Sequence, residues 1–408
     1  MKEYKRLLFS TLGAAFEYYD LAIYSVFAVS IGSKFFDESN SISNTLLVFL
    51  VYIVGYIVRP FGAWIFGYIA DKKGRAFILR LNMFLLFFST IILAFLPTIK
   101  SIGVSATILF VSLRCIQALA MGAEIPVSVV YIVENYPKRQ GFVTSMVFCC
   151  LSLGIMMTSL VLFLLDHFTS ESFIQNYGWR IGYFIGACFT FILFFLRKNI
   201  VDLPQVKEAI AKDQAKTSSK VLIIKIMIGI ALVASIAMLF TQLYLFLPSF
   251  HKMYIVSKFD LSDLLLTGSI IMAISCLIGG FISDYVSKTR MLAFLIIISM
   301  VVTPVFYKNM IEGKDFFACF IILSIVMGFF ASTYNVIITN FFRLEYRCRG
   351  YGISYNLGYL IFSAGAPALT ISLISATNSL LVPIYLIIAA GTVSLVGIGG
   401  ANYFMRRA

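Results

Sequence analysis

The sequence predicts an all-α membrane protein of twelve transmembrane helices in two six-helix bundles. Three observations carry that prediction. Of the 408 residues, 60% are hydrophobic and only 12% charged, against about 25% charged in a soluble domain. The mean hydropathy is +0.94. Apolar stretches of the roughly 20 residues needed to cross a bilayer core recur along the chain, separated by short polar turns. They fall near 8–36, 44–70, 76–97, 104–133, 142–166, 178–196, 221–250, 262–282, 291–308, 315–342, 351–376 and 380–404.

The first segment carries Glu17 and Asp20 inside its apolar run, and no A-x-A-like site follows. It is therefore a membrane helix rather than a cleavable signal peptide. The second begins its inner half with Arg59 and closes on RPFGAWIFGYIADKKGR (59–75). Gly67 in that stretch lets a neighbouring helix approach closely. Asp71 is placed to accept hydrogen bonds from a helix N-terminus. The fourth carries Arg114, Gln117, Met121, Glu124, Ser128 and Tyr131 at spacings of three and four, one stripe on one helix face. After the sixth segment the chain turns polar and lysine-rich from Arg197 to Lys220. This stretch is a linker on the inner surface. The expected organisation is residues 1–196 as an N-terminal bundle, 197–220 as linker and 221–408 as a C-terminal bundle.

An internal repeat supports the division. Gly67-x-x-x-Asp71…Arg75 is echoed by Gly280-x-x-x-Asp284…Arg290, and Tyr136-Pro-Lys-Arg139-Gln-Gly141 by Tyr346-Arg-Cys-Arg349-Gly350. Parallel repeats of six helices are a known transporter plan.

The net charge of +13 does not describe a nucleic-acid-binding face. With the first helix running outward, twenty-three lysines and arginines fall on the inner side and six on the outer. That bias places both termini in the cytoplasm. Six of the seven cysteines lie in apolar segments and Cys348 in an inner loop, with no metal-type spacing. No Walker A pattern is present, so ATP drive within this chain is not expected. No cofactor or metal is expected, and no nucleophile–base constellation marks an enzyme.

The motifs resemble one family. G-x-x-x-D-x-x-G-R at Gly67–Arg75 looks like the helix 2–3 loop of the major facilitator superfamily. GAAFEYYDLAIY (13–24), VRPFGAWIFGYIADKKGR (58–75), RCIQALAMGAEIPVSVVYIVENYPKRQG (114–141) and YGWRIGYFIGACF (177–189) are similar to its metabolite:proton symporter branch. That branch carries proline and betaine, 2-oxoglutarate, citrate and shikimate. The resemblance implies the major facilitator fold, a mid-membrane site between the halves, access that alternates by rocking, and a proton as driving ion. Gly67, Asp71, Arg75, Arg139, Asp284 and Arg349 are then inner-gate residues that set the inward/outward equilibrium. The partners are a small solute, protons and the lipid bilayer, in a bacterial inner membrane.

Charges at membrane depth cost at least about 2.5 kcal/mol each at a helix centre and are functional candidates. Here they are Glu17, Asp20, Arg59, Arg114 and Glu124. Glu17 and Asp20 share a helix face that Tyr24 continues. Two close carboxylates in low dielectric repel, which suits a proton carrier. Asp20 is the first candidate for proton coupling, with Glu17 and Glu124 beside it. The plainer reading is that the acids pair with Arg59 or Arg114 to orient helices. Arg114 can bind a solute carboxylate in fork geometry, with Gln117, Tyr24 and Arg59 completing the solute site. Tyr244, Phe246, Tyr334, Asn335, Tyr355, Asn356 and Tyr359 are candidates in the second half. An arginine beside carboxylates fits a zwitterion such as proline or betaine slightly better than a di- or tricarboxylate. The other class consistent with the fold is a membrane sensor that does not transport.

Overall fold

The computed structural model describes residues 2–36, 41–202, 208, 219–255 and 261–405. Among these residues the chain is helical almost throughout, with no strand. Most of the linker expected at 197–220, along with Lys258, Arg406 and Arg407, lies outside the described residues.

The first membrane segment, α1, is three consecutive helices, Lys2–Thr11, Gly13–Val26 and Ala28–Phe35. The interruptions are single residues, Leu12 and Phe27. Backbone bonds run across both: Leu12 N–H to Leu8 O at 3.0 Å and Ile31 N–H to Phe27 O at 2.8 Å. Then follow α2 (Ser41–Lys73), α3 (Arg75–Phe95), α4 (Val104–Asn135), α5 (Gln140–Phe168) and α6 (Trp179–Leu196). The second half gives α7 (Lys220–Leu245), α8 (Leu261–Ser283), α9 (Lys288–Ile311), α10 (Phe317–Phe341), α11 (Leu344–Thr377) and α12 (Val382–Met405). Among the described residues eleven helices are long and apolar enough to cross a bilayer, corresponding to α2–α12. With α1 they complete the twelve-helix plan.

Two compact units emerge. The first holds Met1–Ile132, Cys150–Asp213 and Leu344–Gly352; the second holds Val133–Cys149, Gln214–Arg343 and Ile353–Ala408. The core of the first is aromatic: Phe16, Tyr19, Phe35, Phe110, Trp179 and Tyr183 are all buried. The Phe35 ring stacks on Phe110 at 4.5 Å and meets Trp179 edge-on at 5.3 Å. Large apolar side chains are left uncovered on the spans, among them Phe61, Trp64, Met156 and Phe163. Exposed apolar surface on this scale fits acyl chains rather than water.

In the second unit, α7 and α11 each relax into a π-helical turn, at Thr241–Leu245 and Leu360–Ala364. Such turns leave backbone carbonyls short of helical partners. Polar side chains gather there: Thr241 donates to Ser363 Oγ at 2.6 Å, and Gln242 Nε2 to Thr370 Oγ1 at 2.7 Å.

Candidate functional site

Close crossing of α2 and α4 builds the site. A Cβ at Gly62 would run into the Leu119 carbonyl, and one at Gly122 into the Arg59 carbonyl. Two glycines thus let the helix backbones touch. Pro60 lies inside α2 and withholds a backbone donor from the Tyr56 carbonyl one turn earlier. The consequence is that Tyr56 and Arg59 of α2 face Arg114, Gln117, Ala118 and Met121 of α4 around one cavity, with Asp20 and Leu21 of α1 on the remaining side.

Both arginines on this cavity are held by acids of α1. Arg59 Nη1 donates to Glu17 Oε1 at 2.5 Å. Arg114 Nη1 donates to Asp20 Oδ2 at 2.8 Å and Oδ1 at 3.0 Å, and to Gln117 Oε1 at 2.7 Å. Gln117 is oriented in turn by Thr90 of α3, 2.8 Å away. The guanidiniums also stack on tyrosines, Arg59 over Tyr56 at 4.5 Å and Arg114 over Tyr24 at 4.2 Å. Tyr24 is fixed by its hydroxyl, which donates to the Val48 carbonyl at 2.5 Å. Glu17 and Asp20 are both buried, so two carboxylates and two guanidiniums form a neutral cluster deep in an apolar bundle. Pairing offsets the desolvation that would otherwise expel them.

The α4 stripe divides. Arg114, Gln117 and Met121 line the cavity, whereas Glu124 does not. Its carboxylate is 1% exposed and accepts from Arg197 Nη2 at 2.7 Å. Arg197, counted from sequence as a topological charge, is fully buried. It also donates to the carbonyls of Phe9, Ser10 and Leu79. One guanidinium therefore ties the end of α6 to α1, α3 and α4. Gly13 is required beside it, since a Cβ there would collide with both charged groups. No sequence spacing links Arg197 to Glu124, 73 residues apart. A basic residue closing an apolar helix reads as an ordinary interface charge.

At the basic end of α2, Asp71 accepts from the backbone N–H groups of Cys348 and Arg349, at 2.9 and 3.0 Å. These lie at the N-terminus of α11, where a carboxylate meets the positive helix end. A Cβ at Gly67 would stand 2.8 Å from the Arg349 Cα. The Arg349 guanidinium lies over the Tyr68 ring at 5.3 Å. Arg75 is fully buried, donates to the carbonyls of Ala70 and Leu344, and faces Asp71 at 3.8 Å. Gly74 adopts φ 103°, which only glycine takes without strain. Asp202, a residue the sequence did not single out, accepts from the N–H groups of Arg75 and Ala76 at 2.9 and 3.0 Å, capping α3. The second unit repeats the plan: Asp284 accepts from the N–H groups of Gly141 and Phe142 at 2.7 and 3.1 Å, the N-terminus of α5. Arg139 is exposed in the turn before α5.

The second-half candidates are mostly buried and neutral. Tyr244 shares a 2.7 Å hydrogen bond with Ser324. Phe246, Tyr334, Asn335, Tyr355 and Asn356 are buried, and the Tyr355 and Tyr359 rings lie 4.7 Å apart. His167 lies in the last turn of α5 and His251 within the short helix Leu247–Tyr254, both outside the cavity lining.

A twelve-helix membrane architecture with arginine–carboxylate pairs buried around a cavity defines a membrane transporter. The chain belongs to the Major Facilitator Superfamily, whose family profile matches residues 102–367. Among similar proteins, the alpha-ketoglutarate permease of Escherichia coli (strain K12) is 25% identical over 387 residues, 90% of this chain and 88% of that one. The putative proline/betaine transporter of Staphylococcus aureus (strain COL) is 25% identical over 96% of this chain and 86% of its own length. The citrate-proton symporter of Klebsiella pneumoniae is 26% identical over 92% of this chain and 86% of its own. The proton:xylose symporter XylE, solved with 6-bromo-6-deoxy-D-glucose bound, superposes with a TM-score of 0.73. That match covers 99% of this chain and 95% of XylE at 16% identity, a likeness of fold.

Proposed function

We propose that this protein is a proton-coupled symporter of a small carboxylate-bearing solute, working by alternating access. The observation that carries the reading is the pair of arginine–carboxylate contacts on one cavity, Arg59–Glu17 and Arg114–Asp20. Protonating Asp20 removes the anion that holds Arg114, and a solute carboxylate takes its place. The solute thus enters when the acid is neutral, which is coupling in its simplest form. The hydrogen bonds of Arg114 to its acid all run through Nη1, so its other edge suits bidentate capture of a second carboxylate. Glu17 and Arg59 repeat the arrangement one turn along α1.

Two arginines favour a solute with two carboxylates over a zwitterion. The tyrosine faces that would cage a quaternary ammonium are already covered by Arg59 and Arg114. The similar proteins named for alpha-ketoglutarate and citrate support this choice. The relative named for proline and betaine supports the zwitterion as the second reading. Asp71, Gly67, Arg75 and Arg349 serve as the inner gate, with Asp284 and Arg139 as their counterparts. The biased basic residues support cytoplasmic termini, and the bacterial relatives support a bacterial plasma membrane.

Uptake into proteoliposomes tests the proposal. The expected result is accumulation of 2-oxoglutarate or citrate, driven by an acidic exterior and competed by other dicarboxylates. Accumulation of betaine or proline alone would transfer the assignment to the zwitterion. Accumulation indifferent to the pH gradient would remove proton coupling.

A further inference from the structure

Tyr183 of α6 is 1% exposed, and its hydroxyl makes no hydrogen bond among the described residues. A buried hydroxyl without a partner is costly and calls for an explanation. Its position supplies one. The neighbouring Gly182 carbonyl accepts from Tyr19 Oη at 2.7 Å, which joins α6 to α1 at the residue preceding Asp20. The phenol sits within the electrostatic reach of Asp20, Arg114, Tyr24 and Tyr19. Trp179 packs edge-on against its ring at 6.4 Å. Asp20 itself is engaged by Arg114, with Gln117 Nε2 3.5 Å from its Oδ1. The charged and titratable groups around this acid are therefore Arg114 from α4, Tyr183 from α6, and Glu17, Tyr19 and Tyr24 from α1, with Arg59 of α2 across the cavity.

We propose that Tyr183 is a positioning residue of the coupling site, whose phenol oxygen receives the carboxylic O–H of Asp20 once Asp20 is protonated and lets Arg114 go. The inference rests on the reading of Asp20 as the proton carrier. The step balances: one proton from the aqueous side adds to the Asp20 carboxylate, Arg114 keeps its charge, and its ion pair passes from Asp20 to the solute carboxylate. In the paired state shown here Arg114 engages both carboxylate oxygens of Asp20, and the Tyr183 hydroxyl makes no hydrogen bond among the described residues. In the protonated state the acid needs an acceptor in a dry interior, and Tyr183 offers one. A hydrogen bond made only by the neutral acid raises its proton affinity.

Tyr183→Phe removes no hydrogen bond that the paired state makes and keeps the ring, so the variant should fold. The measurement is initial solute uptake as a function of external pH, for the parent, Tyr183→Phe and Asp20→Asn. The expected result for Tyr183→Phe is a half-maximal pH displaced to more acidic values by about 0.7 unit, a roughly fivefold loss of proton affinity matching one net hydrogen bond. Asp20→Asn should lose gradient-driven accumulation. A Tyr183→Phe profile superposed on the parent's, or displaced to alkaline pH, overturns the inference while Asp20→Asn still supports the carrier. If Asp20→Asn accumulates solute in response to pH as the parent does, the carrier assignment falls and the role of Tyr183 falls with it.

Discussion

Each buried charge in the first unit has a definite partner, and the partner decides what a substitution should do. Arg114 holds Asp20 and Gln117 through one nitrogen while stacking on Tyr24. Lysine keeps the charge but cannot offer planar parallel donors or stack in the same way. Arg114→Lys is expected to weaken solute binding at least about tenfold, the worth of one charged hydrogen bond, in a protein that still folds. Parent-like binding in an equilibrium assay would make Arg114 a structural residue. Glu124 gives the opposite expectation. Neutralising it strands the buried Arg197, and breaking such a pair costs about 3–5 kcal/mol. Glu124→Gln should therefore lower the melting temperature in detergent markedly, and replacing Glu124 and Arg197 together by apolar residues should recover much of the loss. An unchanged melting temperature in Glu124→Gln would show that the pair does not anchor the bundle. Glu17, Asp20, Arg59 and Arg114 were legible in the sequence because an ion inside an apolar helix announces itself. Arg197 and Asp202 were not, since a charge at a helix end looks the same whether it faces water or plugs into the core. Tyr183 was hidden among 22 tyrosines, its orphan hydroxyl visible only in three dimensions.

At the scale of elements, the spans follow directly from apolar run length; most observed helix ends lie within a few residues of the expected ones, as with 104–133 against Val104–Asn135. The single-residue interruptions at Leu12 and Phe27 had no sequence signal, because neither glycine nor proline occupies them. The π-helical turns of α7 and α11 were equally silent, as they depend on side chains meeting across two distant segments. Gly67 and Asp71 announced a close helix approach and a carboxylate on a helix N-terminus, but not which helix; the structure shows it to be the start of α11, through the N–H groups of Cys348 and Arg349. That detail sharpens a test. An asparagine side chain can still accept one hydrogen bond but loses the charge that favours a helix N-terminus. Asp71→Asn should reduce turnover by about tenfold or more while equilibrium solute binding stays within a few-fold, since the carboxylate lies outside the cavity lining and acts on the balance of conformations. Gly67→Ala should do the same by a different route, because its methyl would press on the Arg349 backbone. Normal transport by well-expressed forms of both variants would remove the gate assignment.

Over the whole molecule the ionisable groups are distributed unevenly, and that distribution constrains coupling. A proton crossing with the solute must rest on an ionisable group within the barrier. Of the acids within the spans, Glu17, Asp20 and Glu124 are buried in the first unit, as is Asp71 at the basic end of α2. In the second, Asp263 and Asp284 lie at helix ends, and apart from Lys225, which donates to the Phe341 carbonyl near the start of α7, the polar interior described there is made of hydroxyls and amides such as Thr241, Gln242 and Thr370. Glu124 is committed to Arg197, away from the cavity. Asp20 faces the cavity and holds Arg114, which makes it the first carboxylate to test. The decisive comparison is counterflow against gradient-driven uptake, side by side, for Glu17→Gln, Asp20→Asn and Glu124→Gln. Asp20→Asn should exchange solute across the membrane yet fail to accumulate it from an acidic exterior, because Arg114 is then free at every pH. Glu17→Gln should lose part of the accumulation, since it governs Arg59 in the same manner. Glu124→Gln should keep the coupling of whatever protein remains folded. If Asp20 is the carrier as proposed, solute should load on the acidic side, where Asp20 takes a proton, and leave on the alkaline side, where Asp20 returns to Arg114. Should all three variants still accumulate solute against a pH gradient, these carboxylates do not carry the proton and the two arginine pairs on the cavity are structural.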